Sequence, residues 1–190
     1  MIGNDYEFAC ADRTDIDGIM DIERLGFAEG IVERRDVFVA RMSLFPDGFL
    51  VLRNVKSRCI VGYICSELWE YSPNIETSKF LLNHHIGEHH TVAGNEIYIS
   101  SMTIHPDYRK EGLGRLMFRH CLQTLRNKYQ RIAKAILIVN ETWIHAIRIY
   151  DEEGFCPLMR MEGFFTPVGT DVQDAIVMRK ALRDIVAGKK

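Results

Sequence analysis

The stretch from Glu96 to Phe118, EIYISSMTIHPDYRKEGLGRLMF, constrains this chain more than any other. Ile97 and Ile99 alternate with polar neighbours and lead into Met102 and Ile104, the pattern of a strand. Pro106 and Asp107 break it. Beyond the loop Arg109-Lys110-Glu111-Gly112-Leu113-Gly114, the residues Leu113, Met117, Cys121, Leu125 and Tyr129 recur every four positions. Arg115, Arg119, Gln123 and Arg126 lie between them, so the spacing predicts a helix with one buried face. A strand, a short loop with two glycines and a helix form an anion trap. The first N–H groups of a helix have no partner inside it, and they sit at its positive end. Glycines let a phosphate approach the backbone, and Arg109, Lys110 and Arg115 add charge. The spacing is not a dinucleotide fingerprint, because Met117 stands where a third glycine is needed, and no Gly-Lys-Ser/Thr of a P-loop occurs.

The remaining chain surrounds this unit with alternating elements. Tyr6 to Ala11 is a short strand. Thr14-Asp15-Ile16-Asp17 has capping-box form and opens a helix to about Phe27, with Ile16, Ile19 and Met20 inward. Glu23 falls on or near that inward face, as either a solvated helix glutamate or a carboxylate of a substrate pocket. Residues 33–44 predict a second, more polar helix. Phe49 to Arg53 and Ile60 to Trp69 are strands joined by a charged loop, and Gly62 marks a bulge. Residues 70–94 are irregular, and a loop of this length in a compact domain is functional or partly helical. They contain His84-His85-Ile86-Gly87-Glu88-His89-His90. His85 and His89 have i, i+4 spacing, but there is no His-Glu-x-x-His and no cysteine partner. The expectation is a polar loop that titrates near neutrality rather than a metal site. Lys134 to Val139 is a buried strand. A helix carries Trp143, Ala146, Ile147 and Tyr150 on one face and stops at Gly154. Phe155 to Glu162 and Asp174 to Lys180 close the chain as a strand pair.

The order β-α-α-β-β-β-α-β-α-β-β predicts one mixed α/β (α+β) domain over residues 1–190, with its core at about 5–182. A length of 190 residues, 47% apolar and 26% charged, suits a single globular domain. The net charge of −2 gives no footprint for nucleic acid. No apolar run approaches the length of a membrane span, and Asp5, Glu7, Asp12, Asp15, Asp17 and Asp21 in the first 25 residues argue against a secretory signal. Five cysteines without close pairs suggest free thiols in a reducing, cytoplasmic setting.

Three blocks resemble the GNAT N-acetyltransferase superfamily. Ile104 to Gly114 is similar to its acetyl-coenzyme A motif, whose core Q/R-x-x-G-x-G/A is matched by Arg109, Gly112 and Gly114. Ala146-Ile147-Arg148-Ile149-Tyr150-Asp151-Glu152-Glu153-Gly154-Phe155 and Ala175-Ile176-Val177-Met178-Arg179-Lys180 resemble its closing segments. A looser likeness to the arylalkylamine N-acetyltransferase branch lies in Ser66-Glu67-Leu68-Trp69 and the central motif. The resemblance implies a mostly antiparallel central sheet with splayed fourth and fifth strands. It implies acetyl-CoA as cosubstrate, no metal, and transfer of an acetyl group to a primary amine by direct attack in a ternary complex. A small amine such as a polyamine or arylalkylamine is the first expectation. A peptide N-terminus or protein lysine is an alternative, and a non-catalytic acyl-CoA-binding module is another. A second copy of the chain, as a homodimer, is compatible with the reading.

The resemblance also implies roles. The coenzyme would be held by Met102, Thr103, Ile104, Arg109, Lys110, Glu111, Gly112, Leu113, Gly114 and Arg115. Trp143 stands where the family often has asparagine, so Asn140, three residues earlier, is the candidate contact from that side. Met102 N–H would stabilise the carbonyl oxygen. Tyr150 would be the general acid for the thiolate. An alkylammonium near 10.4 must lose a proton before attack. Strand alternation puts Glu96, Tyr98, Ser100 and Met102 on one face. Glu96 is therefore the candidate base, with Tyr98 at the position of a family catalytic glutamate. Glu23, Phe27 and Trp69 are the candidate substrate-binding residues.

Overall fold

The computed structural model describes residues 5–182, so the two ends of the expected 1–190 domain lie outside the described residues. Seven strands form one sheet: β1 (Tyr6–Cys10), β2 (Phe49–Asn54), β3 (Ile60–Trp69), β4 (Glu96–Ile104), β5 (Lys134–Asn140), β6 (Cys156–Phe165) and β7 (Gln173–Ala181). Their spatial order is β1-β2-β3-β4-β5-β7-β6. Every neighbouring pair is antiparallel except β4 with β5. The helices are α1 (Ile16–Gly26), α2 (Arg35–Leu44), α3 (Leu113–Lys128) and α4 (Ile144–Glu152). The crossover between the parallel strands needs a helix, which α3 supplies.

The predicted face of α3 is the one that packs. Leu113, Met117, Cys121 and Leu125 are buried with Ile97, Ile99 and Ile104 of β4 and Leu137 of β5. On the opposite face Ile16, Ile19 and Met20 of α1 and Phe38 and Met42 of α2 bury against Phe49, Val51, Tyr63 and Cys65. Two local expectations change. The capping box sits on the short 3-10 turn Arg13–Asp15 that leads into α1, with Asp12, not Thr14, as the cap: its side chain accepts from Thr14 N–H at 2.7 Å, while Asp15 accepts from Asp12 N–H at 3.0 Å. Asp15 is also paired with Arg53 at 2.7 Å. The free cysteines divide into buried Cys65 and Cys121 and exposed Cys10, Cys59 and Cys156.

Two irregularities in β4 and its neighbours set up everything that follows. Cys65 pairs with Ser101 and Ser66 with Ile99, so Ser100 is an extra residue in β4. Such a bulge reverses the alternation beyond it. Tyr98 therefore shares its face with Ser101 and Thr103, not with Ser100 and Met102: Ser101 meets Tyr63, and Thr103 meets α1. Met102 packs on the α3 side. Second, β4 and β5 pair only from Glu96–Lys134 to Ile99–Leu137. Beyond that point β4 stays with β3 and β5 with β7, and the two strands part.

The irregular 70–94 segment is fastened to β3 by its histidines. His84 Nε2 lies 2.8 Å from Glu67 Oε1, and His90 Nδ1 accepts from Leu68 N–H at 3.0 Å. Glu67 also faces Arg41 at 3.4 Å, and Arg41 pairs with Glu33 at 2.7 Å. All four charged side chains of this chain are buried. Burial alone would lower His84, but the hydrogen bond and charge of Glu67 outweigh it and raise its pKa. His85 caps a turn by accepting from Gly87 N–H at 3.1 Å. Among the described residues no three potential metal ligands converge.

Arg41→Met keeps the volume but strands Glu33 and Glu67 without their cation. It should cost about 3–5 kcal/mol, read as a lower denaturant midpoint with an unchanged slope; an unchanged midpoint would contradict the arrangement.

Candidate active site

Where β4 and β5 part, a wedge-shaped cavity of about 100 Å³ opens. Its walls are Ile99 to Met102 on β4 and Leu137 to Val139 on β5, with Trp143, Ala146 and Tyr150 on one side and Phe27, Ile31, Leu82 and Phe165 on the other. Among the described residues Glu23 and Glu33 are its only carboxylates. The connection after α1 is tied over the wedge by Val168 N–H to the Glu29 carbonyl at 2.7 Å. Gly30 (φ 91) permits that contact, since a Cβ there would lie 2.5 Å from the Thr166 carbonyl oxygen.

Glu23 is brought to the wedge by a close helix–strand contact. At Gly26, one turn further along α1, an added Cβ would sit 2.5 Å from Thr103 Oγ1. Only glycine lets the helix settle this low on β4. Glu23 is 1% exposed. Its Oε1 accepts from Glu33 N–H at 2.9 Å, and its Oε2 accepts a very short bond from Tyr63 O–H. Tyr63 Oη is 2.8 Å from Ser101 Oγ. Burial raises the Glu23 pKa to about 7, against the opposing pull of the Tyr63 and Glu33 hydrogen bonds. No cation contacts it directly among the described residues; Arg41, the nearest, is engaged by Glu33 and Glu67.

The other predicted residues divide sharply. Glu96 does not face the cleft. It is buried at the closed end of β4 in an ion pair with Arg179, at 2.7 Å. Burial raises its pKa in spite of the Arg179 charge, but Glu96 does not line the wedge and is not placed to take a proton there. Tyr98 is also displaced from the expected site: its ring stacks on Trp69 at 3.9 Å and meets Phe80 edge-on, inside a separate core cluster. Trp69 lies in that cluster too, its indole N–H donating to Glu67 at 2.9 Å. Phe27 and Glu23 do line the wedge. Tyr150 borders it from α4, flanked by Phe118 and Phe155. Burial pushes its hydroxyl up to about 12, so it is protonated at neutral pH.

The two-glycine loop has the form of an anion cradle. Gly112 (φ 79) precedes α3 with no side-chain cap, and Lys110 (φ 70) is also left-handed. Among the described residues the amides from Lys110 to Arg115 have no backbone partner. The space where a Gly112 Cβ would point is open. A diphosphate fits these donors. Arg109 braces the loop, its Nε donating to the Ile104 carbonyl at 2.9 Å. Glu111 accepts from Tyr6 at 3.1 Å. Arg115 is held by Glu152 and Glu153, so its charge is already neutralised. Leu113 is buried, and Gly114 lies beside Ile104. Asn140 is turned to structural use: it accepts from Thr142 N–H and Oγ1 at 2.9 Å and donates to Gln173 at 2.5 Å, fully buried.

Residues 17–155 match the acetyltransferase (GNAT) family, and the chain belongs to it. As a member it is an acetyl-CoA-dependent N-acetyltransferase. The fold is similar to the ribosomal-protein-S18-alanine N-acetyltransferase of Escherichia coli, with a TM-score of 0.68 and 17% identity over 93% of both chains. It is similar to yncA from Salmonella typhimurium, solved with acetyl-CoA, with a TM-score of 0.68 and 16% identity over 97% of this chain and 98% of that one. Naa20 from Chaetomium thermophilum, solved with a bisubstrate analogue, gives 0.67 and 20% identity over 92% and 86%. At these identities the likeness is one of fold, and it does not single out an arylalkylamine branch. No curated protein sequence matches the chain.

Tyr63, Ser101 and Glu33 were not expected at the site. Ser101 would follow from the alternation once the Ser100 bulge is known. Tyr63 and Glu33 carry no local signal.

Glu23 also carries a stability signature. Its pKa is raised on folding, so between about 4.5 and about 7 the folded state binds the extra proton and stability falls as pH rises. The full penalty above that window is about 3 kcal/mol. Glu23→Gln removes it. The stability gap between variant and parent, from urea titrations, should widen in favour of the variant from pH 5 to pH 8; a constant gap would refute the shift.

Proposed function

We propose that this enzyme acetylates the primary amine of a small molecule with one positive charge and a short apolar body. The observation that carries the reading is Glu23, a cation-free carboxylate near pKa 7 on the wall of an apolar wedge. General bases work best with a pKa near the working pH. A polyamine would bring a second charge, and the only other wall carboxylate, Glu33, is already paired with Arg41. The wedge has room for only a few heavy atoms, at about 30 Å³ per water.

Acetyl-CoA supplies an acyl thioester with an electrophilic carbonyl carbon. The amides of Lys110 to Arg115 are the proposed grip for its diphosphate, and the freed edge of β4 at Met102 to Ile104 the proposed track for its arm. Met102 N–H is the proposed donor to the carbonyl oxygen. Glu23 accepts the proton of the incoming ammonium. Tyr150 Oη holds a proton for the departing sulfur.

A peptide α-amine is the second reading. It is favoured by fold neighbours that include an N-terminal alanine acetyltransferase and a protein solved with a bisubstrate analogue. Thiol release across a panel of monoamines, polyamines and short peptides separates the two. Preferential release with monoamines supports the first reading, and preference for peptides with small first residues supports the second. Acetyl-CoA binding without transfer to any amine overturns both.

Glu23→Gln should lower kcat by about 10²–10⁴-fold and abolish the acidic limb of the kcat/KM profile near pH 7. Tyr150→Phe should lower kcat while leaving the KM for acetyl-CoA in place; parental turnover would remove Tyr150 from the mechanism.

A further inference from the structure

Three arrangements outside the mechanism above bear on function. The basic hollow formed by Arg126, Arg179 and Lys180 with Leu182 borders the chain's undescribed end, and Arg179 is committed to Glu96. The buried row Glu33–Arg41–Glu67–His84 meets the wedge at Glu33, but that carboxylate is held by Arg41. The third arrangement does reach it.

Glu23 is almost wholly enclosed, and each of its oxygens already accepts a hydrogen bond, one from Glu33 N–H and one from Tyr63 O–H. Tyr63 is fully buried and does not touch the wedge. Its hydroxyl nevertheless lies 2.8 Å from Ser101 Oγ, which lines the wedge and is only half-buried. Ser101, Tyr63 and Glu23 are thus an unbroken line of hydrogen bonds from the cavity to the carboxylate. The bulge at Ser100 creates it, because it turns Ser101 toward Tyr63. The neighbouring Ser100 is not an alternative entry, since its hydroxyl donates to the Cys65 carbonyl at 3.1 Å.

We propose that the acceptor's proton enters this line at Ser101 and reaches Glu23 through Tyr63, so that Ser101 is a catalytic residue and Tyr63 the link. This rests on Glu23 being the base. The ammonium N–H bond breaks and its electron pair stays on nitrogen. Ser101 Oγ gains that proton and passes its own to Tyr63 Oη. Tyr63 passes its own to Glu23 Oε2. Each hydroxyl ends with one proton, as it began, and the net change is one N–H bond lost and one carboxylic O–H bond formed. Tyr63 never needs to ionise fully, which matters because burial and the Glu23 charge hold its pKa far above the ordinary tyrosine value.

The test compares Ser101→Ala, Ser101→Thr, Tyr63→Phe and the double variant Ser101→Ala/Tyr63→Phe with Glu23→Gln, using the most active amine of the panel. Acetyl-CoA affinity, measured by calorimetry, reports that each variant is folded. Ser101→Ala and Tyr63→Phe should each lose at least about 100-fold in kcat. Ser101→Thr, which keeps the hydroxyl, should stay within a few-fold of the parent. The double variant should be no slower than either single one, as expected for groups that act as one unit. Separate losses that multiply would mean two independent structural roles and would overturn the relay. Near-parental turnover in Ser101→Ala beside an inactive Glu23→Gln would also overturn it, leaving Glu23 as a base that takes the proton directly. If Glu23→Gln is itself active, the base assignment fails and the relay with it.

Discussion

The parting of β4 from β5 after Ile99 and Leu137 is the constraint on which the rest of the molecule depends. A parallel pair inside a sheet normally leaves no free backbone. Here the sheet gives up its ladder from Ser100 onward, which exposes an edge in its interior. Free edges are usually covered or blunted, and buried amides must find partners. The fold therefore holds open a row of backbone donors and acceptors that only a solvent molecule or an extended ligand can satisfy. α3 starts just beyond the same strand, so its uncapped amides and the freed edge of β4 follow one another along the chain. A long, flexible thioester donor matches that layout in both its anionic and its amide portions.

Two buried carboxylates show how environment, not residue type, assigns chemistry. Glu96 and Glu23 are both enclosed, and burial pushes both upward. Glu96 meets Arg179 and becomes part of a structural pair. Glu23 meets hydroxyl and amide donors, which hold it in place without fixing its charge. The row of Glu33, Arg41, Glu67 and His84 beside it is close to neutral when His84 is protonated. Glu23 differs from that row in having no cation among its hydrogen-bond partners. Removing Arg41 would leave Glu33 without its cation next to Glu23, and a like charge disfavours ionisation.

Much of this was legible in the sequence. The four-residue repeat of α3, the alternation of β3 and β4, and the glycines after Arg109 all express local rules, and the elements formed as expected. What escaped depends on distant partners. Glu96 looked like a base because nothing near it in sequence announces Arg179, 83 residues away. The face assignment of Ser100 and Met102 failed because one extra residue in β4 inverts the pattern, and a bulge without glycine or proline leaves no mark. Nothing next to Asn140 in sequence announces that its amide answers a turn at Thr142 and a strand at Gln173. The histidine-rich segment looked like solvent-facing polarity, whereas His84 and His90 are the pins that hold an irregular loop against β3.

The apolar wedge bears on both partners of the proposed proton transfer. In water an ordinary glutamate and an alkylammonium differ by about six pH units, so the proton has little reason to move. Burial raises Glu23 to about 7 and by itself closes nearly half of that gap. The same surroundings disfavour the charged form of an amine that enters them, which lowers its pKa. Desolvation therefore moves acid and base toward each other from opposite sides. On the proposed mechanism, apolar walls such as Phe27, Ile31, Trp143 and Phe165 would contribute to the chemistry without touching the proton. An acceptor with a second cation would bring water or demand another carboxylate, and either would weaken the effect. The proposed selectivity for a singly charged, apolar amine and the raised pKa of Glu23 thus have one physical origin.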